Sequence, residues 1–520
     1  MINKTPSGIW SEYEKGMQFN ESIELPETVK TNENFFVGKQ WEGVNAPDLD
    51  KPVFNVLKRV VNYFIAMLVS DNIGIKMSLF NRVETDSQKI MLDLIEAQLR
   101  QVMEYNRFGV LMRDVLRDAA VDGDGVLHVY FDPAVKTGWD GVTGMIRVEQ
   151  VDNTSIFFGN PQVADVQKQP YVIIESRRMI GAVKEEMRAN GRPETEIESL
   201  QTDTKQEWDD REYDDKVTVL TKYWRENGKI HYIKTARSAV IKDETATTLE
   251  LYPICFMNWE NVKNCYHGQG IISGLIPNQM AINKMAALAQ RFIRQQAFPR
   301  IFYNEDKIKR WEEGVRPVAV QGDPANIVYT PNQPTTMSGQ VGEYMERFTE
   351  MTRDLMGASD AALGNVNPQN TSAIIAVQKA TAIPLELVRQ SYYQFVEDFV
   401  RIGVDQMREF YGTRTVVADD GNGDPQEIEF DFSQLAEYVL EYNVDIGQAA
   451  YWSEMSAVQT LDNLLDRGLV DPVLYLESIP DALVPNKSKI VSDARERAEQ
   501  QQMMADQMGG MPLEMPEMPS

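Results

Sequence analysis

A short acidic run near residue 420 has the spacing of a cation-binding loop. Asp420, Asn422 and Asp424 copy the first three oxygen positions of a calcium loop, where carboxylate and amide oxygens would bind a hard cation. Pro425 stands where such a loop requires glycine, and the flanking residues read as strands rather than helices. The sequence therefore favours a hairpin turn, with calcium binding as the alternative.

Two further groups of residues could hold a ligand. Cys265 and His267 both offer metal donors, but two groups do not make a tetrahedral site, which favours a structural role. Gly268 and Gly270 begin a pattern typical of dinucleotide binding, yet Gly274 lies one residue beyond the required spacing. Neither group predicts a cofactor.

The chain lacks the common catalytic signatures. It contains no phosphate-binding glycine loop, no G-x-S-x-G, no H-E-x-x-H and no C-x-x-C sequence. A metal-dependent hydrolase with scattered ligands is a third possible class, but the chain has only 3 histidines to supply them. We therefore predict no enzymatic activity, no cofactor and no metal site.

Two amphipathic helices are predicted in the central part of the chain. Residues 271–298 contain no acidic residue, and residues 340–358 have one apolar and one mostly acidic face. On these faces alone, the pair could be two solvated helices of an ordinary core. The basic face of the first helix is formed by Lys284, Arg291 and Arg294. The charged face of the second is formed by Glu343, Glu346, Arg347, Glu350 and Asp354.

Two long sequence segments around these helices resemble those of a known family. Residues 268–300 (GQGIISGLIPNQMAINKMAALAQRFIRQQAFPR) and 357–386 (GASDAALGNVNPQNTSAIIAVQKATAIPLE) are similar to the portal proteins of tailed bacteriophages, of the long-tailed phage type. Weaker similarity occurs at 32–43 and 52–70. The resemblance covers most of the chain in order and spacing, and it implies an α+β portal fold that is mainly helical.

The resemblance also implies a division into the parts of a portal subunit. The expected parts are the N-terminal wing (1–267), stem helix 1 (268–298), the clip (299–336), stem helix 2 (337–357), the tunnel loop (358–370), the second part of the wing (371–446), the crown (447–502) and a disordered tail (503–520).

Local patterns predict the elements of the wing. Residues 53–69 and 87–120 repeat apolar residues at helical spacing, and short β-rich runs follow from residue 121. The acidic segment 191–215 predicts a solvated face or a mobile loop. A helix of roughly forty residues is expected after residue 370, kinked at Pro384, and a hairpin at 415–432.

Composition limits the possible functions. The chain has 520 residues, which is enough for several subdomains, and a formal net charge of -26 with a pI near 4.7. That charge argues against tight wrapping of nucleic acid but does not exclude contact with DNA that must slide, since a repelling wall prevents sticking. The 2 cysteines predict a reducing compartment, the N-terminus shows no targeting segment, and the apolar run 53–70 carries too many polar residues to cross a membrane.

The resemblance implies a function at the capsid vertex of a virion. There the chain would form a homo-oligomeric ring, a dodecamer in family members, as a head-tail connector through which double-stranded DNA is packaged and ejected. The expected partners are terminase, the major capsid protein and a head-tail adaptor, with assembly in the host cytoplasm and no membrane contact. The alternative is a non-enzymatic helical scaffold that does not touch DNA.

Specific residues can be assigned to these roles. The charged face of the second helix (Glu343, Glu346, Arg347, Glu350 and Asp354) is predicted to line the channel, or else to pair with the basic face of a neighbouring subunit. The resemblance implies DNA contact by the tunnel loop, for which we predict Ser359, Asp360, Asn365, Asn367, Gln369 and Asn370. For the clip we predict a partner-binding cluster of Arg300, Lys307, Lys309, Arg310 and Trp311.

Overall fold

The structure is a computed structural model of the full chain. It describes residues 2–47, 49–69, 73–81, 84–137, 142–203, 215–297, 302–303, 328–329, 339–355, 385–419 and 425–446, with a few positions between 458 and 479.

The described part of the chain contains helices of 6 to 25 residues. They are α1 (Pro6–Ser22), α2 (Leu25–Val37), α3 (Val56–Val69), α4 (Asp86–Tyr105), α5 (Phe108–Asp122), α6 (Ile180–Ala189), α7 (Glu194–Ser199), α8 (Ile276–Ala297), α9 (Gly339–Leu355) and α10 (Glu386–Phe410).

The described strands pair in antiparallel sheets. They are β1 (Ile73–Leu79), β2 (Asp124–Lys136), β3 (Thr143–Gln150), β4 (Ile156–Phe158), β5 (Tyr171–Met179), β6 (Lys216–Glu226), β7 (Lys229–Thr235), β8 (Val240–Ala246), β9 (Ile254–Asn258), β10 (Phe302–Tyr303), β11 (Val328–Tyr329), β12 (Thr413–Asp419), β13 (Pro425–Asp431) and β14 (Leu440–Ile446).

Two larger sheets lie at the centre of the described part of the chain. One has the strand order β3-β2-β9, and the other is a five-stranded meander of order β4-β5-β6-β7-β8. All strand pairs among the described residues are antiparallel, as expected for an α+β fold in which helices and strands are segregated.

Alternation along β2 shows how the layers pack. Leu127 and Val129 face the largest core, which they share with α3, α4, α5 and α10. Val126 faces the opposite way, into a second core shared with the five-stranded sheet. The far side of that sheet is covered by α1, where Ile9 and Trp224 are both 0% exposed. These elements therefore have the layer order helices, sheet, sheet, helix.

The helix predicted over 53–69 is present as α3 (Val56–Val69), and one side of it is buried. Residues Leu57, Val60 and Val61 of α3 are each 0% exposed, in the largest core. Within the described ranges, no helix is both long and apolar enough to cross a membrane.

The predicted single helix over 87–120 is wrong, because the structure has two helices. Arg107 adopts the left-handed conformation at φ 51°, which ends α4 and starts α5 in a new direction. Asn106 fixes the break, since its amide donates to Val102 O and to Ile146 O in β3, and its Oδ1 accepts the Val148 N–H. A tertiary contact to β3 overrides the helical periodicity.

Strand β1 follows α3 in the order of the described elements. This strand pairs along its whole length with β14, from Ile73 opposite Ile446 to Leu79 opposite Leu440. Its other edge donates backbone N–H groups to glutamates, at Met77 to Glu96 (2.8 Å) and at Leu79 to Glu84 (3.2 Å). The pairing is remote in sequence, which is why local patterns did not predict it.

The acidic segment 191–215 is partly helical. Its first part contains α7, whose Ile197 is buried against α6 while the glutamates Glu194 and Glu198 are exposed. The prediction of a solvated face is confirmed for α7, and residues 204–214 lie outside the described part.

Two predicted β features are also present. Strands β12 and β13 form an antiparallel hairpin, from Thr413 opposite Asp431 to Asp419 opposite Pro425, which confirms the hairpin predicted at 415–432. Between α8 and α9, β10 pairs with β11. Three predicted regions lie outside the described residues. They are the rest of the predicted clip (299–336), the first part of the predicted long helix with Pro384, and the predicted crown and tail apart from the few positions between 458 and 479.

Candidate functional site

Segments that are distant in sequence contact the C-terminal end of α5. The last carbonyl groups of a helix have no partner within it. Here Ala120 O accepts the Ile271 N–H at 2.9 Å, and Val121 O accepts the side-chain amide of Asn32 at 2.8 Å. Gly123 then ends the helix in the left-handed conformation. The segment that leads into α8 is therefore bonded to the end of α5.

The glycines before α8 allow this close approach. A Cβ at Gly270 would lie 2.3 Å from Val121 O, and a Cβ at Gly268 would lie 2.8 Å from Gly123 O. Both distances are shorter than real Cβ contacts, so a side chain would push the segment away from α5. This packing gives the glycine pattern a structural role.

A buried aspartate organises the same junction. Asp124, 1% exposed, accepts hydrogen bonds from the Gly268 N–H (2.7 Å) and from the Asn258 amide (2.7 Å). Its other oxygen contacts His267 Nδ1 at 2.6 Å, and His267 Nε2 faces Asn20 Oδ1 at 3.1 Å. Both nitrogens of His267 are thus engaged with protein oxygens. The residue that the sequence offered as a metal donor joins α1, β2 and the approach to α8.

Three further aspartates lie near this junction. Burial raises the pKa of Asp118 to about 6 and that of Asp122 to about 8, the latter also because of the nearby Asp118 charge. Burial likewise raises the pKa of Asp152. Asp122 is 8% exposed and its Oδ1 has no hydrogen-bond partner, whereas Arg117 pairs with Asp118 at 2.9 Å. The junction therefore contains a carboxyl group, that of Asp122, which loses its proton only at mildly basic pH.

The first stem helix begins later than predicted. Residues 268–275 are an irregular segment with a 3-10 turn at Ser273–Leu275, and α8 starts at Ile276. The reason is that the backbone before it is bonded to the end of α5 instead of to itself. We call α8 and α9 the stem helices below.

Buried amides hold the base of α8 to the segment between α2 and α3. Gln279, 0% exposed, accepts the Val56 N–H at 3.1 Å and donates to Phe54 O at 2.7 Å. Asn283, 3% exposed, accepts the Phe54 N–H at 3.3 Å and donates to Gln40 Oε1 at 2.5 Å. Because these side chains lie on consecutive turns of one face, they fix both the position and the rotation of α8.

The opposite face of α8 is exposed and contains the predicted basic residues. Lys284 and Arg291 are exposed and make no ion pair within the described residues. Met280 and Leu288 lie on the same stripe and are 54% and 49% exposed. Arg294 is also exposed and contacts Asp50 at 3.3 Å. The structure therefore presents a mixed basic and apolar stripe along the helix.

Helix α9 packs against α8 and α3 and exposes its charged face. Thr352 is 1% exposed on the inner side, and its hydroxyl donates to Phe348 O at 2.8 Å. Glu343, Glu346 and Glu350 are exposed and pair with no basic side chain in the part of the chain that the structure describes. Arg347 is exposed beside them, and the side chain of Asp354 is outside the described part.

The remaining predicted site residues lie outside the described part of the chain. These are the tunnel-loop set (Ser359, Asp360, Asn365, Asn367, Gln369 and Asn370), the clip set (Arg300, Lys307, Lys309, Arg310 and Trp311) and the possible calcium ligands (Asp420, Asn422 and Asp424).

Comparison with known proteins identifies the family. A family model described as "Phage P22-like portal protein" matches residues 19–518. The chain belongs to this family. The match confirms the resemblance to tailed-phage portal proteins, while the long-tailed type stays a prediction. A search of curated proteins finds no match.

Family membership bears on what the exposed faces of α8 and α9 can contact. Portal proteins of this kind are ring-forming, generally non-enzymatic components of the capsid vertex. A ring places copies of one chain side by side, so faces that are exposed in one subunit are available to a neighbour or to the central channel.

Sequence reasoning missed the residues that hold the stem helices. Gln40, Gln279 and Asn283 are polar residues within amphipathic patterns, and such residues are usually assigned to the solvent side. Asp124 belongs to a turn-like run after α5. The available signal was the pair of glycines at 268 and 270, which indicates a close backbone approach but not its partner.

Proposed function

We propose that the chain forms the ring-shaped channel at one capsid vertex, through which double-stranded DNA is packaged and later ejected. The observation that carries the proposal is the family match over residues 19–518, which spans almost the whole chain. The exposed charged faces of α8 and α9 support it, because an assembled ring needs surfaces that remain open in the single subunit.

The acidic face of α9 is proposed to line this channel. Glu343, Glu346 and Glu350 lie on one side of the helix, opposite the buried Thr352. Ring symmetry would repeat each carboxylate as a belt of negative charge. DNA carries about one negative charge per 1.7 Å of its axis, so acidic belts give it no tight resting place. Sliding is then favoured over binding.

The partners follow from the same proposal. We propose a homo-oligomer, with twelve subunits as implied by the family resemblance, that contacts the major capsid protein, a head-tail adaptor and terminase. The terminase would supply the energy for packaging as a separate ATPase, since the sequence has no phosphate-binding glycine loop. We propose DNA contact by the loop 358–370 and partner docking by the basic cluster around Trp311.

Electron microscopy of the purified full-length chain tests the proposal. We expect rings with an axial channel, and in a reconstruction we expect the carboxylates of Glu343, Glu346 and Glu350 at the channel wall. A uniform monomer at high protein concentration would contradict the ring.

A second result would separate the two parts of the proposal. Rings in which these glutamates contact Lys284 and Arg291 of the neighbouring subunit would keep the portal function and refute the acidic wall. A helical scaffold without DNA contact predicts that heads containing the ring take up no DNA when terminase and ATP are supplied, whereas the portal predicts filled heads.

A further inference from the structure

Three metal-ligating side chains converge on the neighbouring strands β6, β7 and β8 of the five-stranded sheet. Glu226 lies at the end of β6, His231 in β7 and Glu244 in β8, and one ligand atom from each lies within 4.8 Å of the other two. Strand register explains the cluster. His231 is directly opposite Trp224, which shares a strand face with Glu226 because the two are two residues apart. Glu244 lies on the same face, two residues before the partner of His231 in β8.

A cation already contacts two members of this cluster. The Lys4 ammonium contacts Glu226 at 3.0 Å and Glu244 at 2.8 Å, and Glu244 also contacts His231 Nδ1 at 3.1 Å. Both carboxylates therefore face one position, and the imidazole lies beside them. The two carboxylates thus direct oxygens at a single positive charge, and a ring nitrogen of His231 lies within 4.8 Å of an oxygen of each of them.

We propose that Glu226, His231 and Glu244 form a binding site for a divalent cation of the zinc class, which takes the position of the Lys4 ammonium. An imidazole nitrogen with two carboxylate oxygens is a donor set that suits zinc and related transition metals better than calcium or magnesium, which prefer oxygen ligands alone. Three protein ligands leave a fourth position for water.

Access and adjustment are both possible at this site. The side chains of Glu226, His231 and Glu244 are 44%, 17% and 34% exposed, so a metal ion can enter and the carboxylates can move inward. The stacked Trp224 ring, with its centroid 5.7 Å from that of His231, limits the orientation of the imidazole.

Displacement of Lys4 does not require unfolding of the N-terminal segment. Asn3 O accepts from the buried ammonium of Lys222 at 2.8 Å, and Thr5 Oγ1 accepts the Gly8 N–H at 3.3 Å at the start of α1. These bonds hold the backbone on either side of Lys4 while its side chain moves into solvent. Exposed ion pairs such as those of Lys4 contribute little to stability.

The chain has few competing ligands of this kind. It contains 3 histidines. His128 Nε2 is bonded to the Tyr223 hydroxyl at 2.8 Å, and both nitrogens of His267 face Asp124 and Asn20. Cys255 is buried, which leaves the half-buried Cys265 as the thiol to be removed in a control. The proposal stands independently of the portal function.

Zinc titration of the untagged full-length chain tests the site. Isothermal titration with Zn²⁺ is carried out in excess Mg²⁺, which occupies surface carboxylates, and in a Cys265→Ser background. We expect one saturable site per chain that His231→Ala weakens by roughly tenfold or more, since even residues behind a metal ligand contribute about that much. Lys4→Ala should bind zinc several-fold more tightly, because it removes the competing ammonium.

A matched lysine variant controls for the change in net charge. Lys168 makes a comparable exposed pair with Asp165 at 2.9 Å, so Lys168→Ala should leave zinc affinity unchanged. Co²⁺ provides a second readout, and we expect its visible absorption to disappear in His231→Ala. Zinc binding that His231→Ala does not alter, or no saturable site even in Lys4→Ala, would show that the cluster only clamps Lys4 and would overturn the proposal.

Discussion

The base of the stem and its outer surface use polar residues in opposite ways. At the base, Gln279 and Asn283 are buried and bonded to protein partners. Along the outer surface, Lys284 and Glu346 are exposed and have no ion pair among the described residues. The two residues Asn283 and Lys284 are adjacent in sequence, so the difference comes from the face of the helix and not from the region of the chain.

The buried residues at the base fix the orientation of α8 within one subunit, whereas the exposed residues are available for contacts in an assembly. A buried amide that loses its partner is costly, so the base permits one orientation of α8. Exposed charges contribute little to the stability of a single chain and remain free to act on a neighbour or on DNA. This comparison predicts that substitutions at the base change stability, whereas substitutions on the outer surface change function.

The largest effect is expected at Asp124, the most extensively bonded acid of the junction. Asp124→Ala leaves His267, the Gly268 N–H and the Asn258 amide without their acceptor. Removal of one partner from a buried charged contact costs about 3–5 kcal/mol. We expect a loss of this size in the free energy of unfolding, measured by urea denaturation followed by circular dichroism. For the exposed Asp93→Ala, the free energy of unfolding should change by less than about 0.5 kcal/mol. Equal effects of the two substitutions would show that Asp124 does not hold the junction together.

A smaller loss is expected at the base of α8. Asn283→Ala removes the acceptor of the Phe54 N–H and the donor to Gln40, which costs about 1–3 kcal/mol for buried groups left unsatisfied. The adjacent Lys284→Ala should change the free energy of unfolding by less than about 0.5 kcal/mol. Thermal denaturation of the two variants side by side measures the difference. If Lys284→Ala proved the more destabilising of the two, the assignment of the two faces would be reversed.

Sequence patterns predicted individual helices and strands better than the contacts between segments that are remote in sequence. The helices α3 and α9 and the strands β2, β3, β5, β6, β7 and β9 follow from periods of 3.6 and 2 residues, which depend only on local sequence. The β1–β14 pair joins residues more than three hundred positions apart, and no local period encodes such a partner. The break at Arg107 was missed for a similar reason, since its cause is a bond from Asn106 to β3.

The residues of the candidate site also fall into two groups, those that local sequence patterns predict and those that they do not. Charged residues on the exposed faces of α8 and α9 can be found from sequence, because amphipathic spacing shows which side is polar. The interactions that orient those faces involve Gln40, Gln279 and Asp124, which come from three separate parts of the chain. Polar residues in such roles look like surface residues until the tertiary contacts are known.

A gain in stability is expected at Asp122, and it should depend on pH. Burial raises the pKa of this carboxyl to about 8, and Oδ1 has no partner. The folded chain therefore holds a proton that the unfolded chain has already lost, and stability falls as the pH rises from about 4 to 8. Asp122→Asn removes this penalty and should stabilise the chain at pH 8 by at least about 1.4 kcal/mol, the equivalent of one pKa unit.

The pH dependence separates this explanation from better packing. Unfolding of wild type and Asp122→Asn at pH 5 and pH 8 should show a gain that increases with pH. Asp118 and Asp152 remain in the variant and retain part of the dependence, because burial raises their pKa as well. A gain of equal size at both pH values would mean that the carboxylate charge is not its cause.

The smallest effect on stability is expected on the outer surface of α9, where the effect on function should be largest. Glu346→Gln combined with Glu350→Gln removes two exposed carboxylates without changing side-chain size, and the free energy of unfolding should change by less than about 0.5 kcal/mol. If these residues line the channel, each ring loses two belts of negative charge, so that DNA is repelled less strongly and binds the wall more tightly. Packaging should then slow, most clearly at low salt, where the lost repulsion is least screened. A double variant on α1 and α2, Glu21→Gln with Glu27→Gln, removes the same charge from exposed sites outside the stem and should package normally. Equal packaging rates for the two double variants would place the α9 glutamates away from the DNA, whereas failure of the α9 variant to form rings would place them in the contact between subunits.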